Sequence, residues 1–284
     1  MSKPVRHIVA VIPAYNEART LREIAIGVLA HVSQVIIVDD GSGDGSAATV
    51  SDLPLQVMRH EKNLGKSRSL TDGFRLALAQ GADAVVTLDG DGQHYPQDLP
   101  RLLEESRRNP HAIVIGSRLH DKAGIPPARY RANRFANFWI AWAAGYPIED
   151  SQSGFRVYPA VLLIDLPKQL QSLPGFVFES EILIHAGARG IFSRAVPIPA
   201  IYAAARRASH FRPVYDIALI VLMVARRLLA RKMHLRGLMA SLNRPKTSAR
   251  ENRPGPKVRR GLEVVHGEHE VVEAIGDTDA GRAD

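Results

Sequence analysis

A chain of 284 residues, 45% hydrophobic and 23% charged, has the bulk for one large or two small globular domains with a sizeable core. Its lack of cysteine excludes a disulfide scaffold, cysteine-ligated zinc, iron–sulfur clusters and thiol catalysis. A net charge of +8, from 37 Lys and Arg against 29 Asp and Glu, suits nucleic acid, an anionic membrane surface or a phosphorylated substrate, and with no aromatic platform, zinc finger or RNA-recognition signature nucleic acid is the weakest of the three.

HIVAVIPA (7–14) reads as a buried strand and ARTLREIAIGVLAHV (18–32) as an amphipathic helix. QVIIVDDGSGDGS (34–46) is a second strand running into a glycine-rich loop, and PLQVMRH (54–60) a third strand. KSRSLTDGFRLALAQG (66–81) is a helix that stops at a glycine. ADAVVTLDGD (82–91) is a fourth strand, PQDLPRLLEESRRN (96–109) a helix and HAIVIGSR (111–118) a fifth strand. Continuous apolar strands alternating with helices predict an α/β fold with a mainly parallel central sheet flanked by helices.

Beyond residue 118 the alternation loosens. A helix is expected over 126–145, a loop into a short strand over 148–159, a helix over 175–190 and a strand over 191–198. PVYDIALIVLMVARRLLARKMHLRGLM (213–239) reads as one long helix that places an apolar segment beside a basic one. Such a helix can lie on anionic lipid; packing on the preceding α/β domain or in a homodimer interface is the structural alternative. The expected division is a main α/β domain over 1–212, a basic amphipathic helix over 213–243 and a disordered polyampholyte tail over 244–284. The longest uncharged apolar run, IALIVLMVA (217–225), falls short of the roughly 20 residues that span a bilayer. The first residues are too briefly apolar for a signal peptide. The expectation is a cytoplasmic protein, peripheral at the inner membrane.

Ligands of parallel sheets bind at the carboxyl ends of the strands. Asn16 with Glu17, Asp39 with Asp40, Asp89 with Asp91, and Ser117 with Arg118 all fall there. IPAYNE offers an aromatic beside an acid, suited to a base and ribose; alternatively Asn16 simply caps the next helix. VDDGSGDGS couples an acidic pair to a flexible loop, with Asp44 or Ser46 as an alternative cap. In DGDGQH, Asp89 and Asp91 stand at i and i+2 and repel each other unless a positive charge lies between them. One hard divalent cation shared by both carboxylates, with Gln93 or His94 adding a ligand and a diphosphate filling the remainder, resolves the conflict.

IPAYNE, VDDGSGDGS, NLGKSRSLTDGF, DGDGQHYPQDLP, GSR and SGFR follow one another in the order and spacing of family-2 glycosyltransferases. The chain resembles this family over roughly residues 5–210, and matches best the dolichol- and polyprenyl-phosphate mannosyl- and glucosyltransferase branch. The resemblance implies the GT-A fold, a GDP- or UDP-sugar donor and a Mg²⁺ or Mn²⁺ cofactor. By it, Asp89 and Asp91 form a DxD motif that holds the donor diphosphate through the metal, and Gln93 completes the metal shell. Pro13, Tyr15, Glu17 and Asp40 match positions that hold the nucleoside, and Gly90 belongs to the same donor loop. The branch transfers the sugar with inversion to a lipid monophosphate, which already carries the nucleophilic charge.

Arginine suits such an acceptor because its planar fork makes paired hydrogen bonds to phosphate. Arg118 is the first candidate, with Arg131, Arg134 and Arg212 as further ones. Asp150 of EDSQSGFR is either the general base that a hydroxyl acceptor would need or the residue that orients the SGFR loop. His94 reads as a turn or phosphate-facing residue. The Gln-x-x-Arg-Trp element of processive synthases is absent, and so are the C-terminal membrane helices of some polyprenyl-phosphate transferases. Competing readings are a transferase to a hydroxyl of a lipid, pigment or glycan, a non-catalytic nucleotide-sugar binder, and a nucleotidyltransferase. The intact Asp89/Asp91 pair opposes the second, and PAYNE in place of a glycine-rich phosphate loop opposes the third.

Overall fold

The β-branched runs become strands buried on both faces. In the computed structural model, which describes residues 6–167, 169–170, 173, 175–201, 213–230, 233 and 235–242, β1 (Ile8–Ala14) and β4 (Ala84–Thr87) are buried along their whole length. With β2 (Gln34–Asp39), β3 (Gln56–Arg59), β5 (Ile113–Ser117), β6 (Arg156–Pro159) and β7 (Ser193–Pro197) they form, among the described residues, one seven-stranded sheet of order β3-β2-β1-β4-β6-β5-β7. All pairings are parallel except those of β6, which runs antiparallel to both β4 and β5.

Alternation along β1 separates two cores. Val9 and Val11 face helices α2 (Lys66–Ala79), α4 (Pro127–Ala144) and α6 (Gly175–Ala188), whereas Ile8, Ala10 and Ile12 face α1 (Leu21–Leu29) and α3 (Leu99–Arg108). Gly73 lets α2 approach the sheet closely: a Cβ there would collide with a Val11 methyl.

Three details depart from the sequence reading. Asn16 does not cap α1; its backbone is left-handed (φ 56°) and its side chain accepts a hydrogen bond from Gly43 N–H at 2.9 Å, tying the first two strand-end loops together. A short left-handed turn is a conformation asparagine tolerates. The long C-terminal helix is in fact two, α7 (Pro213–Ala230) and α8 (Leu235–Leu242). Between them Met233 adopts φ 63° and its N–H donates to Leu228 O at 2.7 Å, a bond of the kind that closes helix C-termini. Periodicity carries no signal for that break. A short helix, α5 (Ala160–Ile164), was not expected either.

Ile220, Met223, Val224 and Leu228 of α7 are buried against α4 and α6, each worth roughly 1.5–3 kcal/mol if fully removed from water. Val221, Leu222 and Leu229 remain exposed. Contacts group residues 1–245 into one compact unit. The expected tail, 244–284, and Arg212 lie outside the described residues.

Candidate active site

β6 assembles the crevice. Its antiparallel register pairs Thr87 with Arg156 on one side and Ile115 with Arg156 on the other. Continued past the strand ends, the same register sets Gly154 opposite Asp89 and Ser153 opposite Arg118. The SGFR segment is therefore inserted between the acidic loop after β4 and the arginine after β5. Contact at Asp89 is close: a Cβ on Gly154 would lie 2.5 Å from Asp89 Oδ2.

Lys66, the first residue of α2, reaches the other oxygen. Its Nζ lies 2.7 Å from Asp89 Oδ1 and 3.3 Å from Glu179 Oε1 of α6. Burial pushes the Asp89 carboxyl up, but the charge and hydrogen bond of Lys66 together with the other positive groups around it, Arg118 among them, hold it below its ordinary value. Asp91 goes the opposite way, raised by burial and then by the charge of Asp89. Gln93 answers only in part, donating its N–H to Asp91 Oδ1 at 3.0 Å and its side-chain amide to Oδ2 at 2.7 Å. Asp91 is thus short of positive charge. Two adjacent carboxylates in this state form an oxygen donor set that suits a hard cation. Among the described residues no cluster of three or more His, Cys, Asp or Glu side chains forms a complete metal shell.

Arg118 and Asp150 form a buried pair. Asp150 Oδ2 accepts from Arg118 N–H and Nε at 3.1 and 3.2 Å, and Oδ1 from Arg118 Nη2 at 3.3 Å and Gln152 N–H at 3.2 Å. His94 is buried beside Phe155, their rings 5.5 Å apart, and its Nδ1 has no hydrogen-bond partner among the described residues. Burial, then the nearby Arg118 charge, pull its pKa down to about 3, so the imidazole is neutral.

The remaining sequence candidates divide. Pro13 is buried in β1 beside Val38, and Tyr15 and Glu17 are half-buried at the crevice edge. Gly90 is buried, its carbonyl accepting from Thr20 Oγ1 at 2.5 Å. Asp40 is buried and its oxygens accept from Leu64 N–H, Gly65 N–H and His60 Nδ1, at 2.9, 2.8 and 2.7 Å. It thereby shapes the loop that leads into Lys66. Arg131 and Arg134 are exposed on α4, outside the buried ion-pair cluster.

Three site residues escaped the sequence reading. A lysine at the positive end of a helix dipole needs acids nearby, which was the available signal for Lys66. Acids in the otherwise apolar run FVFESEILI likewise demand buried partners; Glu179 meets Lys66, and Glu181 meets Arg227 at 2.8 Å. Arg156, fully buried, donates to the carbonyls of Ser151, Ser153 and Glu179 and so fixes the SGFR loop on α6.

A mainly parallel sheet with one antiparallel insertion, carrying paired acids and an arginine at its strand ends, defines a glycosyltransferase of the GT-A fold. The chain belongs to glycosyl transferase family 2, whose profile matches residues 9–161. It is 30% identical over 216 residues to a UDP-N-acetylglucosamine–dolichyl-phosphate N-acetylglucosaminyltransferase of Methanococcus voltae, covering 69% of this chain and 86% of that protein. It is 28% identical over 208 residues to the polyprenol monophosphomannose synthase of Mycolicibacterium smegmatis, covering 69% and 78%. In structure it resembles glucosyl-3-phosphoglycerate synthase of Mycobacterium tuberculosis, solved with Mn²⁺, UDP and phosphoglyceric acid (TM-score 0.58, 22% identity, 80% and 78% covered).

Proposed function

We propose that this glycosyltransferase moves a sugar, with inversion, from a GDP- or UDP-sugar to a polyprenyl-phosphate lipid at an anionic membrane surface. The carrying observation is the Arg118–Asp150 pair. Asp150 is fully buried with both oxygens engaged, so it serves as the holder of Arg118 rather than as a free base. A site organised around an arginine instead of a base suits an acceptor that is already an anion. The names of the two relatives support the same acceptor class.

Asp89 and Asp91, with Gln93 beside them, would hold Mg²⁺ or Mn²⁺, which neutralises charge on the departing diphosphate when bound. Lys66 adds a second positive charge on the donor side, and Arg118 orients the acceptor phosphate. An acceptor phosphate oxygen attacks the anomeric carbon as the bond from that carbon to the diphosphate oxygen breaks. The nucleoside diphosphate leaves with the electron pair, and no proton need move. Pro13, Tyr15, Glu17 and Asp40 are assigned to the nucleoside, Gly90 to the donor diphosphate, and Arg131, Arg134 and Arg212 to the acceptor phosphate. Among the described residues no helix is long and apolar enough to cross a membrane. Membrane contact is assigned to the exposed apolar residues of α7 and α8, among them Leu222, Leu229, Met239 and Leu242.

The deciding experiment is turnover of a panel of UDP- and GDP-sugars with Mn²⁺, with and without a short polyprenyl phosphate. Lipid-dependent turnover that yields a lipid-linked sugar is expected. Donor hydrolysis without lipid transfer would overturn the acceptor assignment and return the hydroxyl alternative.

A further inference from the structure

Lys66 sits where helix electrostatics disfavour a cation, and it spans two acids from separate elements, Asp89 after β4 and Glu179 in α6. Its stem is held in place, since a Cβ on Gly175 would lie 3.0 Å from Lys66 Cβ. Asp89 thus has Oδ1 on an internal ammonium and Oδ2 against the backbone of Gly154. A divalent cation that uses Asp89 must share the carboxylate with Lys66 and tolerate a like charge beside it.

We propose that Lys66 is a positioning residue that competes with the divalent cation for Asp89 and yields the carboxylate only when a nucleoside diphosphate is present, with Glu179 as the alternate seat of the ammonium. The inference rests on the donor-site reading above. Its logic is a change of sign. Against a bare cation the ammonium is repulsive; against the same cation carrying a diphosphate, the net charge is negative and the ammonium is attractive. Metal and nucleotide then enter together, and the metal alone binds weakly.

The test is calorimetric titration of the full chain with Mn²⁺ alone, and with UDP or GDP at saturating Mn²⁺, comparing wild type, Lys66→Met and Lys66→Arg. Lys66→Met keeps the packed stem but removes the charge. It should tighten Mn²⁺ alone about tenfold or more and weaken the nucleotide by a similar factor. Lys66→Arg should bind Mn²⁺ as weakly as wild type. If Lys66→Met fails to fold by circular dichroism, Lys66→Gln takes its place with the same expectation. A folded charge-removed variant whose affinity for Mn²⁺ alone is unchanged or weaker overturns the proposal, because a purely structural lysine would lower Tm without tightening the metal. If wild type binds Mn²⁺ in neither the presence nor the absence of nucleotide, the donor-site reading falls as well, a pattern distinct from the first.

Discussion

Arg118 and Asp150 meet through three donor–acceptor contacts, one from the Arg118 backbone and two from its guanidinium, so the acid fixes both the loop and the side chain of the arginine. Removing one partner of a buried pair leaves an uncompensated charge and costs about 3–5 kcal/mol. Asp150→Ala should therefore lower Tm by roughly 10 °C. Asp150→Asn should lose turnover by about a hundredfold while leaving the shape of the pH–rate profile intact. Disappearance of the acidic limb of that profile would instead identify Asp150 as a base.

Gly154 leaves no room for a side chain next to Asp89. Gly154→Ala should push the carboxylate aside, at about 1–3 kcal/mol, and weaken Mn²⁺-dependent donor binding by about tenfold or more. Calorimetry with donor and Mn²⁺ measures it; unchanged affinity would mean Asp89 does not hold the donor from this position.

Asp91 is short of positive charge in the crevice. Asp91→Asn should abolish Mn²⁺-dependent donor binding, and chelation by EDTA should do the same to wild type, reversibly on adding Mn²⁺ back. Retained, EDTA-resistant binding by the variant would remove the DxD assignment.

The exposed side of the C-terminal helices can be charged without touching the core. Leu229 and Met239 are 69% and 64% exposed, whereas Ile220 and Val224 are core residues. Leu229→Glu with Met239→Glu should reduce co-sedimentation with anionic liposomes at unchanged Tm. Sedimentation equal to wild type would place the membrane contact elsewhere. Deleting the helices would be a poorer test, because it strips the cover from α4 and α6.

The strands and most helices were legible because β-branched runs and 3.6-residue periodicity report burial directly, as in IVAVIPA and LREIAIGVL. The GT-A fold and family membership were legible too, carried by several motifs at fixed spacing. Less visible were contacts made across the sheet. Nothing local in NLGK shows that Lys66 meets Asp89 and Glu179, and nothing in SGFR shows that Arg156 is buried beneath three carbonyls. The left-handed Asn16 and Met233 escaped for a related reason: neither is glycine, and both are held by neighbours distant in sequence or by the helix end itself.

The reversed strand β6 has a consequence for how this crevice can vary. Because Arg156 pairs with Thr87 and with Ile115 at once, any insertion within 151–155 re-registers the acidic loop and the arginine loop together. The spacing between donor and acceptor ends is set by a single ruler. Changes of substrate size would then be accommodated on the helices around the crevice, with the ruler itself left at constant length.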